Sequence, residues 1–187
     1  MITVIDNFLP QDLFKSVHNQ IKNCDFNPLT KDPAADSYKS SEVEYPGMRT
    51  EALKKIMPFE DSYIIQHIDE ERLPFTSQPY TYWQYAHLRV EDDNKNDFIH
   101  TDGWMNFAWL LYLSKTNLES GTKFYTNDND EHAFVRFVQN RFVIFDCNIK
   151  HRAFNNHGKD LKDGRLTVNG FAAYDMDPSK IAYNMEK

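Results

Sequence analysis

Cysteine is scarce in this chain: Cys24 and Cys147 are the only two among 187 residues. Their spacing makes neither a zinc site nor a redox pair, and two cysteines build no disulfide framework. Cys147 lies in an apolar, strand-like run and reads as a small buried hydrophobe, which fits a reducing compartment. Basic charge is also short. Lys and Arg number 21 against 28 Asp and Glu, for a formal net charge of −7 and a pI of about 5.4. With no basic stripe, binding driven by a nucleic-acid backbone is disfavoured, which leaves room only for a local patch. No apolar run approaches the roughly 18 residues of a membrane span. The opening Met1-Ile2-Thr3-Val4-Ile5 is too short for a signal peptide and runs straight into Asp6. A soluble, cytoplasmic protein is expected. There is no internal repeat and no linker, and the length suits one domain.

What is present is enough for a core: 41% of residues are hydrophobic and 14% aromatic, far from a disordered composition. Ile2 to Ile5 reads as a short strand. Pro10 suits a first helical turn, Asp12 the positive end of a helix dipole, and Leu13, Phe14, Val17 and Ile21 follow helical spacing. Cys24 to Thr50 is polar and punctuated by Pro28, Pro33 and Pro46-Gly47, so it is expected to be a long loop with a short strand near Glu42 to Tyr45. Glu51 to Met57 reads as a short helix, and Tyr63 to Ile68 as a helix or strand.

From Tyr80 onward the chain turns to strands. Expected strands are Tyr80 to Val90, Phe98 to Thr101, Asn106 to Leu113 and Gly121 to Tyr125. Phe134 to Val138 and Arg141 to Asp146 then form a hairpin across Gln139-Asn140. His151 to Phe154 and Leu166 to Ala173 form a second across a longer loop. About eight short strands with turn signals between them predict an antiparallel sandwich or barrel, mainly β in an α+β chain. The tail from Asp177 reads as a helix.

One stretch carries chemistry. In Phe98-Ile99-His100-Thr101-Asp102 the imidazole and the carboxylate stand two residues apart, which on a strand puts them on one face. Taken alone, such a pair is common. His151, 49 residues after Asp102 at the start of a strand, is the third candidate ligand. Two histidines and one carboxylate form a facial triad: three protein ligands on one side of an octahedral metal, with adjacent positions open. Fourteen residues further on comes Arg165-Leu166-Thr167. Arg165 and Thr167 share a face and point inward if His151 does. A buried arginine is costly unless a carboxylate pairs with it, and its planar fork binds one through two parallel hydrogen bonds.

His-x-Asp, a distal His and Arg-x-Thr, in that order, resemble the signature of the Fe(II)/2-oxoglutarate-dependent dioxygenases. The similarity is to the prolyl-hydroxylase-like branch, including its small bacterial and phage members. It covers Tyr80 to Ala173, about half the chain. Further likenesses are the opening Val4-Ile5-Asp6-Asn7-Phe8-Leu9-Pro10 and Leu111-Tyr112-Leu113, followed by Glu119-Ser120-Gly121-Thr122 where the family has a Gly-Gly-Thr-like turn. Another is Asn140-Arg141-Phe142-Val143-Ile144-Phe145-Asp146 before the distal His.

The resemblance implies a double-stranded β-helix, or jelly roll, with flanking N-terminal helices. One domain then spans 1–187, with helical and loop support over 1–79, the core over 80–173 and a tail over 174–187. It implies Fe(II) on His100, Asp102 and His151, and 2-oxoglutarate chelating that iron with its far carboxylate on Arg165 and Thr167. Tyr112 aligns with a tyrosine that bonds the far carboxylate, and Tyr85 is a second candidate phenol with His87 as its rival. The implied reaction consumes O2 and 2-oxoglutarate, releases succinate and CO2, and hydroxylates a substrate. Asp102 speaks against halogenation, because related halogenases carry a small residue in its place.

Other readings stand beside these. His157 is a rival distal ligand, although Asn155-Asn156-His157-Gly158 reads as a polar exposed turn. Arg165 could instead pair internally with an acid such as Asp146, and Tyr112 could be plain core. Arg49 reads as an exposed loop arginine rather than one at the site's mouth. The whole could be a cupin-like metal enzyme that does not use 2-oxoglutarate, or a non-catalytic jelly-roll binding module. The substrate is a protein side chain, an amino acid or another small molecule, and nucleic acid fits the charge less well.

Overall fold

In the computed structural model the described residues are 2–28, 46–51, 53, 80–102 and 106–174. The strand expected near Glu42 to Tyr45, most of the helix expected over 51–57, the segment 63–68 and the tail from 177 lie outside them. Among the described residues there is one α-helix, α1 (Gln11–Lys22), and ten strands. The strands are β1 (Ile2–Ile5), β2 (Asn27–Pro28), β3 (Met48–Arg49), β4 (Tyr80–Arg89), β5 (Phe107–Tyr112), β6 (Asn117–Tyr125), β7 (Glu131–Phe137), β8 (Phe142–Asp146), β9 (Lys150–Phe154) and β10 (Arg165–Tyr174). A 3-10 helix over Glu91–Asn96 follows β4. No helix among these residues is long and apolar enough to cross a membrane.

The strands form two antiparallel sheets. The larger runs β1-β8-β5-β10-β4-β3-β2 and the smaller β7-β6-β9. This is the mainly β, jelly-roll architecture that the sequence predicts. Strand alternation divides the larger sheet's side chains between two cores. Trp109, Leu111, Ile144 and Val168 pack on one face with Phe14, Val17 and Ile21 of α1. Those three helical residues recur at i, i+3 and i+7, a single stripe of the helix. On the other face Ala108, Leu110, Tyr112, Val143 and Phe145 meet Phe124, Val135 and Phe137 of the smaller sheet. Burial on both faces explains why β5 and β8 read as unbroken apolar runs. Gly170 on β10 leaves room for Trp109, whose ring would stand 2.0 Å from any Cβ placed there.

Both expected hairpins are absent. β7 lies in the smaller sheet and β8 in the larger, paired with β1 and β5. Likewise β9 pairs with β6, whereas β10 pairs with β4 and β5. The connections cross between sheets instead of folding back within one. Asn140 makes the first crossing. It sits at φ 60, and its side chain accepts from the Leu9 N–H at 3.0 Å and donates to the Leu9 carbonyl at 2.8 Å. Its amide therefore serves the chain's N-terminal segment rather than a local turn. Asn140→Ala loses both bonds, strands two buried backbone groups and places alanine in a left-handed conformation. A cost of about 2–4 kcal/mol is expected. A urea midpoint unchanged from wild type would contradict this.

Two further boundaries differ from expectation. β6 begins at Asn117 rather than Gly121. Phe98 to Thr101 is not a strand: His100 alone forms an isolated bridge, to His151. Arg49 is not an exposed loop residue either. It lies on β3, half-buried, with its guanidinium 5.1 Å from the centre of the Tyr85 ring.

Candidate metal centre and anion pocket

His100 and His151 exchange both backbone hydrogen bonds, at 3.0 and 2.9 Å. In an antiparallel pair this sets the two residues directly opposite with side chains on one face. Their imidazole centres lie 4.5 Å apart. Asp102, two residues beyond His100, is held by its N–H on the Cys147 carbonyl at 2.9 Å. Its carboxylate oxygens stand 3.8 Å from His100 Nε2 and 3.4 Å from His151 Nε2. Ligand atoms about 2.1 Å from one ion stand roughly 3–4 Å apart, so the three tips have the spacing of a coordination set. One ligand atom from each residue lies within 4.8 Å of the others.

The ring orientations are fixed in the same way twice. Nδ1 of His100 faces the Phe98 carbonyl at 3.2 Å, and Nδ1 of His151 the Ile149 carbonyl at 2.9 Å. A carbonyl only accepts, so each Nδ1 carries the proton and each Nε2 presents its lone pair. Burial, and then the other imidazole, lower the His100 pKa to about 4. Burial lowers that of His151 to about 4 as well. Both rings are therefore neutral ligands at physiological pH. Burial raises Asp102 to about 6. Phe124 and Phe145 wall the His151 ring, with centres 6.1 and 4.7 Å away.

A carboxylate ligates only when deprotonated. Because the pKa of Asp102 is raised to about 6, affinity for a divalent metal ion should be full above that pH. It should fall roughly tenfold for each unit below it. Anaerobic Fe(II) titrations on either side of this value test the point, and an affinity flat through it would refute the assignment.

The second half of the site lies on β4, β5 and β10. Thr167 is directly opposite Tyr112 on one side and His87 on the other, and Arg165 is opposite Arg89. Arg165 and Thr167 are both buried and on the face turned to the smaller sheet. The Arg165 guanidinium lies over the rings of Tyr112 and Phe137, 5.7 and 5.5 Å from their centres. It donates to Thr122 Oγ1 at 3.2 Å, and the Tyr112 hydroxyl meets the same oxygen at 2.8 Å. Thr122 is the residue that sequence reasoning missed. Its Gly-Thr turn is visible, but its role as hub for Tyr112 and Arg165 needs the β6 register. Burial raises the Tyr112 pKa, which keeps it a phenol.

Among the described residues no carboxylate pairs with Arg165, and its Nε has no partner. Asp146, the internal partner considered above, instead accepts from Asn148. Asp97 is committed to Arg89 and Asn156. A buried guanidinium without a carboxylate partner is costly.

The remaining candidates sort by position. Tyr85 is opposite Asn169, stacked on Phe171 and bonded to Arg49. His87 is buried, with Nε2 3.1 Å from the Pro46 carbonyl. Burial and then Arg89 hold it well below the usual histidine range, so it stays neutral. His157 is not with the metal-ligand trio. It sits edge-on to Phe137, 5.6 Å away, on the Arg165 side of the pocket.

No family model matches the sequence, and no curated protein does. Solved structures do match. A Pseudomonas putida prolyl 4-hydroxylase aligns over 92% of this chain and 91% of its own, at 17% identity and a TM-score of 0.59. A 2OG-Fe(II) oxygenase family oxidoreductase from Burkholderia pseudomallei aligns over 92% and 84%, at 8% identity and a TM-score of 0.65. A Trichoplax adhaerens prolyl hydroxylase, solved with a peptide fragment of hypoxia-inducible factor, aligns over 97% and 86%, at 12% identity and a TM-score of 0.58. The chain therefore has the fold seen in prolyl hydroxylases and other 2OG-Fe(II) oxygenases. At these identities the likeness is one of fold.

Proposed function

We propose that the chain is a non-haem Fe(II)- and 2-oxoglutarate-dependent oxygenase that hydroxylates its substrate. The observation that carries this reading is a pairing. Three neutral-or-anionic ligand tips stand together, and the same interior holds a buried guanidinium that no carboxylate among the described residues pairs with. His100, Asp102 and His151 would hold the iron. Arg165 would take the far carboxylate of 2-oxoglutarate, with Thr167 and Tyr112 beside it and Thr122 bracing both Arg165 and Tyr112. Tyr85 would line the same face nearer Phe171.

The donor set fits such a metal: two neutral imidazoles and one carboxylate on one side leave positions for a chelating acid and dioxygen. The chemistry supplied when both are bound is oxidative decarboxylation of 2-oxoglutarate coupled to O2 activation, yielding succinate, CO2 and a hydroxylated product. The protein's own share is positional. The Phe98 and Ile149 carbonyls fix the imidazole tautomers, aromatic walls exclude water around His151, and Arg165 sets the cosubstrate's orientation.

The Trichoplax neighbour was solved with a peptide, so a protein side chain is the first substrate class to test here. Succinate release is measured with Fe(II), 2-oxoglutarate and a panel of proline-containing peptides, free amino acids and other small molecules. Stimulation by one class identifies it. Absence of both succinate and bound iron would sink the proposal.

A further inference from the structure

The outer face of the smaller sheet takes no part in this site. Thr122 and Phe124 point inward, so Gly121, Lys123 and Tyr125 lie on the opposite face, where Tyr125 is buried and the Lys123 side chain 17% exposed. Lys123 is directly opposite Phe134 and Arg152, Gly121 opposite Arg136 and Phe154, and Tyr125 opposite Lys150. The result is a basic patch interleaved with aromatic rings. The Lys123 ammonium lies 3.9 Å from the centre of Phe154 and 5.6 Å from that of Phe134. Arg136 lies 5.4 Å from Phe134, and Arg152 lies 5.9 Å from Phe154 and 5.8 Å from Tyr125. Among the described residues the one ion pair these cations make is with Glu131, 2.6 Å from Lys123, and Asp128 and Asp130 stand in the turn after β6. Among the described residues Arg136 donates to the Leu118 carbonyl and Lys150 to Asn127 and Asn129. Arg152 has a buried Nε with no partner.

This excess of positive charge stands on a chain whose net charge is −7. Ring contact holds the long stems of these cations, so less side-chain entropy remains to be lost when an anion binds. We propose that this face docks an acidic, Asp/Glu-rich peptide segment of a protein partner. The inference stands independently of the oxygenase reading. Single-stranded nucleic acid fits less well. Its bases need open ring faces, whereas here cations lie over Phe134, Phe154 and Tyr125. A long polyanion would also meet the negative remainder of the chain.

The test is fluorescence anisotropy with a labelled peptide of alternating Glu and Ser, its Gln-for-Glu counterpart and labelled oligo-dT. Binding of the Glu peptide alone is expected, weakening as salt rises. The Arg136→Gln/Arg152→Gln double variant should weaken it about five- to thirtyfold, with succinate release unchanged. Glu131→Gln, which removes the competing carboxylate, should tighten it. Equal binding of the Glu and Gln peptides, or preference for oligo-dT, overturns the proposal. If the double variant does not fold, Glu131→Gln decides: unchanged or weaker binding overturns it.

Discussion

Replacing His100 with alanine should abolish the weak visible charge-transfer band that Fe(II) and 2-oxoglutarate give together without oxygen, and with it succinate release. Even groups that only orient metal ligands carry about 10–100-fold in affinity or activity, so loss of a ligand should exceed about 100-fold. The reason lies in the backbone. His100 and His151 face each other because they exchange both main-chain hydrogen bonds, and Asp102 follows because Cys147 holds its N–H. Alanine at position 100 leaves that frame intact and removes one of the three tips. His151→Ala should do the same from the other side of the bridge. His157→Ala is the discriminating control: it sits by Phe137 and away from the trio, and the band should survive. A band lost with His157→Ala and kept with His151→Ala would overturn the ligand assignment.

The trio was legible in the sequence through residue type and order, with His100 and Asp102 two apart and His151 at the head of β9, although the bridge that joins His100 to His151 is long-range. The unbroken apolar runs of β5 and β8 need only two buried faces. The connections were not legible. Gln139-Asn140 carries a good turn signal, but no local pattern says whether the chain returns in the same sheet or crosses to the other. The deciding bonds reach Leu9, 131 positions away. The smaller errors have the same cause. Phe98 to Thr101 has strand composition, yet only His100 finds a bridge partner, because the Asp102 N–H bonds to Cys147, outside β9. Arg49 reads as a loop residue until β3 is seen to pair with β4 and set it against Tyr85. Arg165 and Thr167 were recognisable by type and spacing, but that no carboxylate among the described residues bonds to Arg165, Asp97 being held by Arg89 and Asn156, is a property of the packed interior.

That absence makes Arg165→Met informative in two directions at once. Arg165 is 3% exposed, lies beside the stacked rings of Tyr112 and Phe137 and, among the described residues, has a hydroxyl but no carboxylate as its bonded partner. Burial already lowers its pKa. In the cosubstrate-free protein the charge is a liability, since exchanging buried ionic groups for apolar ones of similar volume is often neutral or stabilising by about 1–4 kcal/mol. Methionine, unbranched and adaptable, suits the place beside the stacked Tyr112 and Phe137 rings. The variant should therefore melt no lower than wild type, and higher if the pocket closes well. With cosubstrate the sign reverses. Removing one partner of a desolvated charge pair costs about 2–5 kcal/mol, so KM for 2-oxoglutarate should rise roughly 30- to 5000-fold, while Fe(II) affinity at the trio is unchanged. Saturating 2-oxoglutarate should raise the melting temperature of wild type and leave that of the variant where it was. A lower melting temperature for the cosubstrate-free variant would mean that Arg165 is a structural arginine with an internal role. An unchanged KM beside intact iron binding would mean that Arg165 does not hold the far carboxylate of 2-oxoglutarate. The two measurements fail separately, and each failure gives the same buried guanidinium a different role.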